Sequence, residues 1–268
     1  MHKKQKESVL RKTGEKVRRL ILEMSFRSHS GETGSALSIS DILSVLYFSI
    51  LRVNPKKPDD PKRDRFVLSK GHGAAALYAV LALRGYFPQK KLLEYRTNGG
   101  EFHSHPSQCL SLGIEASTGS LGQGLSIAAG MALALQKTDS KVYVLLGDGE
   151  CNEGSVWEAA LFIGNARLPN IVVIIDDNKF QGFGATKETN RFDLAKQWRA
   201  FGWKTFTVDG HNPRELERVL LEAKNANVPV VVIADTVAGK GVTDIEHTLQ
   251  AHYYVANKID LGKKKIKR

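Results

Sequence analysis

Apolar and polar positions follow two rhythms along this chain. In the first third the rhythm is helical: "ESVLRKTGEKVRRLILEMSF" and "SISDILSVLYFSILRV" each repeat apolar residues at spacings of three and four. Ser and Asp at the start of the second segment are the expected cap residues. "NPKKPDDPKRDR", residues 54–65, is Pro-rich and charged and reads as a surface loop. "RFVLS" then predicts a strand, "GAAALYAVLALRGYF" a helix, and "GLSIAAGMALALQK" a further helix whose small residues allow close packing. From residue 141 the pattern becomes strand, helix, strand, and it recurs as "WKTFTVD", "NPRELERVLLEAKNA" and "VPVVVIAD". The runs "VYVLL", "IVVII" and "VVVIA" lack polar alternation, as strands of a parallel sheet covered on both faces do. The expected fold is α/β: one doubly wound parallel sheet with helices on both faces, spanning residues 1–268 as a single domain.

Composition narrows the picture. The chain has 268 residues, 42% of them hydrophobic, enough for a full core. Its formal charge of +11 is concentrated at the ends, in "HKKQK" and "KKKIKR", read as mobile tails at about 1–6 and 262–268. No aromatic residues are interleaved there for base stacking, so no nucleic-acid partner is expected. Cys109 and Cys151 make no disulfide framework, which fits a reducing cytoplasm. No run of about 18 apolar residues exists to span a bilayer, and no membrane is expected.

The candidate chemistry lies where two apolar runs end. "KVYVLL" runs into Gly147-Asp148-Gly149, and "NIVVII" runs into Asp176-Asp177-Asn178. If these are neighbouring parallel strands joined by the helix "SVWEAALFIGNAR", both endings lie at the carboxyl edge, where open α/β sheets bind ligands. Ser155 and Glu158 suggest a capping box opening that helix, with free amides ahead of it for a phosphate. Asp148 and Asn178 would converge as hard oxygen ligands for Mg²⁺. The phosphate motifs of ATP and dinucleotide sites are absent, since "VAGKG" and "GHGAAA" fit neither.

Gly-Asp-Gly, then about thirty residues, then Asn after a buried strand resembles the thiamine diphosphate motif. The blocks "RFVLSKGHGAAALYAVLALRGY", "STGSLGQGLSIAAGMALA", "GDGECNEGSVWEA", "DILSVLYF" and "AGKGV" together resemble the transketolase family, in order, over roughly residues 30–252. The resemblance is to that family's N-terminal, diphosphate-binding part. It therefore implies a split enzyme, active only with a C-terminal partner subunit carrying the pyrimidine-binding and third domains, in an α₂β₂ assembly. Its substrates would be small sugars or α-hydroxyketones.

The same resemblance implies roles for particular residues. Asp148, Asn178 and the Phe180 carbonyl would bind Mg²⁺, and Gly149 the diphosphate. Ser35, Gly119, Ser120 and Leu121 would contact the cofactor, as would His72 and His252. His72, His105 and His252 would form the catalytic set, and Glu153 would join a carboxylate network between paired sites. Cys151 reads as a small filler.

Three departures from the family pattern bear on the substrate. Glu32 in "SGETG" stands where the family has a substrate-contacting histidine, Ala238 stands where a lysine occurs, and "AHY" replaces "WHG" around His252. They predict a donor or acceptor other than ordinary ketose phosphates. Two alternatives compete with this reading. The α-type subunit of a thiamine-dependent keto-acid dehydrogenase shares the cofactor motif but matches "SKGHG" and "TGSLGQG" poorly. A non-catalytic basic binding module would have no use for Asp148 and Asn178.

Overall fold

The computed structural model describes residues 3–191 and 193–262. Its first half contains helices α1 (Lys3–Ser28), α2 (Thr33–Ser38) and α3 (Ser40–Val45), strand β1 (Arg65–Leu68), helices α4 (Ala74–Arg84) and α5 (Gln123–Ala134), and strand β2 (Val142–Gly147). Helix α6 (Gly154–Asn165), strand β3 (Ile171–Asp177), the hairpin strands β4 (Phe180–Gln181) and β5 (Gly184–Ala185), and helices α7 (Thr186–Thr189) and α8 (Leu194–Ala200) follow. Strand β6 (Lys204–Asp209), α9 (Pro213–Lys224), β7 (Val230–Asp235), α10 (Gln250–Tyr253) and α11 (Lys258–Gly262) complete the described part.

Five parallel strands form the main sheet in the order β1-β2-β3-β7-β6. Successive side chains of a strand face opposite ways, so each strand feeds two cores. Tyr143, Leu145, Val172, Ile174 and Val232 pack on one side with Val17 of α1, Ile42 of α3, Leu77 of α4 and Leu216 of α9. Val144, Leu146, Val173 and Ile175 pack on the other with Leu125 of α5, Ile163 of α6 and Trp198 of α8. The unalternating apolar runs thus become strands covered on both faces, in the doubly wound arrangement.

Register sets the site. Gly147 is paired with Asp176, the Asp148 amide donates to the Asp176 carbonyl at 3.1 Å, and the Thr236 amide donates to the Asp177 carbonyl at 3.2 Å. The carboxyl ends of β2, β3 and β7 therefore finish side by side.

Three local expectations are corrected. Helix α6 begins at Gly154 with Glu153 as an N-cap that makes no side-chain bond, so Ser155 lies inside the first turn and no capping box forms. The turn Gly149–Asn152 precedes it, capped instead by the Asp148 carboxylate. "SISDILSVLYF" is not one helix: the chain breaks at Ile39, and a π-turn over Leu46–Ile50 extends α3. Asp41 is no cap there but is buried, bound to Arg18 and, at 2.8 Å, to His211. Burial raises the Asp41 pKa, yet the Arg18 charge and the His211 bond outweigh it and leave it below the ordinary carboxylate range. Residues 3–6, expected in a mobile tail, are helical, and Lys6 pairs with Glu217. Residues 1–2 of that tail and 263–268 of the C-terminal one lie outside the described residues.

Candidate functional site

Asp148 follows β2 and is 3% exposed; Asn178 follows β3 and is 6% exposed. One Asp148 oxygen, Oδ1, accepts from the Gly149 amide at 2.9 Å. The other, Oδ2, accepts from the Lys179 amide at 2.9 Å and from Thr186 Oγ1 at 2.7 Å. The carboxylate thus reaches the backbone of the residue after Asn178. Asn178 Oδ1 accepts from the Phe180 amide at 3.0 Å, and its Nδ2 donates to Asp176 Oδ2 at 2.9 Å. Among the described residues all three hydrogen-bond partners of Asp148 are uncharged groups. Burial first, and then the charges of Asp176 and Asp177, push its pKa up to about 7 against the pull of the Thr186 hydroxyl. Ionising it at neutral pH calls for a positive counter-charge. Carboxylate, carboxamide and carbonyl oxygens suit a hard divalent ion such as Mg²⁺. Among the described residues no group of three His, Cys, Asp or Glu side chains is arranged to hold a metal.

Beneath these residues lies a charged layer that sequence reasoning did not identify. Lys70, 1% exposed, donates to Asp176 Oδ2 at 2.6 Å and to the Ser35 carbonyl at 3.1 Å. Asp176 also accepts from Ser38 and Thr236. Burial raises its pKa, but the Lys70 ammonium and these donors more than offset that and hold it low. Glu150 is likewise buried: it accepts from the Ser69 hydroxyl, from the Gly122 amide at 2.8 Å and from the Gly147 amide at 3.1 Å. The available signal was a charge inside an otherwise small or apolar block: Lys70 in "SKGHG", Glu150 in "GDGEC" and Asp176 in "IIDDN".

The expected histidines converge. The His72 and His252 ring centroids are 6.2 Å apart. A methyl built on Gly119 would stand 3.2 Å from the His105 ring, and one on Gly71 2.8 Å from the Thr118 carbonyl carbon, so "SKGHG", "HSHP" and "STGSLGQG" meet by close backbone approach. His105 is half-buried, whereas His103 is exposed. Burial, assisted by the nearby Lys70, His252 and His105 charges, lowers the His72 pKa to about 3. Burial also lowers that of His252, with Glu32 opposing. Both imidazoles are neutral near pH 7.

Glu32 holds a left-handed backbone, φ 63°, just before α2 and lines a narrow crevice with Ser30, Thr33, His72 and Tyr95. Among the described residues its carboxylate makes no hydrogen bond or ion pair. Ser35 lies in α2 with its carbonyl on Lys70, Leu121 is half-buried, and Ser120 and Glu153 are exposed. The Gly149 amide is bound to Asp148, and Phe180 lies in β4. Ala238 is buried, and Lys240 lies 3.9 Å from Glu246. Cys151 is fully buried, and burial pushes its thiol pKa well up, as a filler requires.

Comparison with known proteins agrees with this geometry. Residues 10–267 match the family model described as transketolase, thiamine diphosphate binding domain. A 6-deoxy-6-sulfo-D-fructose transketolase subunit from a Clostridium strain is 43% identical, with 88% of this chain and 87% of that protein aligned. An apulose-4-phosphate transketolase subunit from Actinobacillus succinogenes is 39% identical over 96% of both chains. Mouse transketolase is 39% identical over 90% of this chain, but this covers only 39% of its own length. The solved transketolase of Campylobacter jejuni superposes with a TM-score of 0.90 at 32% identity, over 94% of this chain and 41% of that one. Sheet, strand-end motifs and relatives agree: the chain belongs to the transketolase family and carries its thiamine diphosphate-binding domain.

Proposed function

We propose that this chain is the cofactor-anchoring subunit of a two-chain transketolase that moves a two-carbon ketol unit from a ketose-type donor to an aldose-type acceptor. The observation that carries the reading is Asp148, a buried carboxylate whose hydrogen-bond partners among the described residues are all neutral, set beside Asn178 at adjoining strand ends. Asp148, Asn178 and the Phe180 carbonyl would hold Mg²⁺, with Gly149 at the diphosphate. Ser35, Gly119, Ser120 and Leu121 would line the rest of the cofactor. Thiamine diphosphate, when bound, supplies the carbanion stabilisation that two-carbon transfer needs. His72, His105 and His252 would orient substrate hydroxyls; as neutral rings His72 and His252 exchange hydrogen bonds without adding charge. A partner subunit would bring the pyrimidine-binding and third domains, in an α₂β₂ assembly. In support, the chain covers 87% and 96% of relatives named as transketolase subunits, against about 40% of proteins named simply as transketolase.

Glu32 directs the substrate reading. A carboxylate that has no hydrogen-bond or ion-pair partner among the described residues and lines the same crevice as His72 accepts hydrogen bonds and repels anions, so this wall favours a hydroxyl or amino group over a phosphate or carboxylate. Ketol transfer by the reconstituted pair tests both levels. We expect weak turnover of xylulose 5-phosphate with ribose 5-phosphate, rising at least tenfold in Glu32→His. Full activity of the unsubstituted pair on these sugars would overturn the altered-substrate reading. Absence of ketol transfer from any ketose, with thiamine diphosphate bound, would overturn the transketolase assignment.

A further inference from the structure

Asp176 is fully buried and gathers donors from four separate segments: Lys70 after β1, Ser38 of α2, Asn178 after β3 and Thr236 after β7. A carboxylate paired with an ammonium can only accept, so the end of the Asn178 carboxamide that faces it must be the nitrogen. The carboxamide is planar, so its oxygen faces away from Asp176, where the Phe180 amide donates to it at 3.0 Å. Turning the amide over would set oxygen against oxygen at the 2.9 Å contact and NH₂ against the Phe180 N–H. We propose that Asp176, anchored by Lys70, is a positioning residue that presents the Asn178 oxygen to a divalent cation. The inference rests on the cofactor reading above and extends it to two residues that touch neither ion nor diphosphate.

The arrangement has a specific genetic signature. Aspartate at 178 carries oxygen at both ends and needs no orienting partner, so exchanging the two side chains should restore what a single change destroys. The measurement is calorimetric titration of thiamine diphosphate with Mg²⁺ into the complex with its partner subunit. Asp176→Asn should weaken binding about 10- to 100-fold, as loss of an outer partner of a metal ligand does. The exchange Asp176→Asn with Asn178→Asp should recover binding to within about threefold, which restored packing alone would not achieve. Should Asp176→Asn fail to fold because Lys70 is left with a buried unpaired charge, the comparison moves to a Lys70→Met background, where both charges are removed together. Equal binding by Asp176→Asn and the unsubstituted complex, or an exchange no better than the single variant, overturns the inference alone. A flat titration for the unsubstituted complex overturns the cofactor reading, and this inference with it.

Discussion

His72 shows what burial does at the scale of one residue. Its folded pKa of about 3 lies below the ordinary 6.5, so between these values the unfolded chain binds a proton that the folded one does not. Stability is full above about pH 6.5 and falls as acid is added, by up to about 1.4 kcal/mol per unit. Denaturant unfolding at pH 7 and pH 4.5 should show this drop shrinking by about one proton's worth in His72→Gln; an unchanged pH dependence would contradict it. Asp148 and Asn178 were legible in the sequence because each interrupts an apolar run at a strand end. The partnerships of Lys70 with Asp176 and of Ser69 with Glu150 were not, because they join residues 106 and 81 positions apart that only the fold brings together.

Among the elements, the central strands were readable because a strand buried on both faces has nothing but apolar side chains to show. Helix α9 was also readable, since Asn212 caps it and Pro213 opens it. The start of α6 and the break at Ile39 escaped, because Ser155 and Asp41 carry cap-forming side chains but tertiary contacts use Asp41 elsewhere and Ser155 falls within the helix. Close approach also separates two glycines of different consequence. A methyl on Gly34 would collide with the Ala251 carbonyl oxygen in α10, one residue from His252, while one on Gly164 of α6 would collide with the Phe201 carbonyl oxygen on the far face. Each alanine should cost about 1–3 kcal/mol by overpacking. Only Gly34→Ala should also change the KM for the sugar substrates, which thermal unfolding and steady-state kinetics together would reveal; equal effects on KM would contradict the placement of α10 at the site.

Across the whole molecule, the sheet brings motifs from four parts of the chain to one edge, which is why ordered blocks over nearly the full length identified the family. Helices α5 and α6 leave Ile127, Leu133, Leu161 and Phe162 exposed. Sequence could not rank substrates, because the crevice containing Glu32 forms only when segments around residues 30, 72 and 95 pack together. The most direct measurement is calorimetric titration of thiamine diphosphate into the complex of this chain with its partner subunit, with and without Mg²⁺, for the unsubstituted chain and for Asp148→Ala. Saturable binding that requires Mg²⁺ and disappears in Asp148→Ala is the expected result. Binding that survives removal of either the ion or the carboxylate would contradict it.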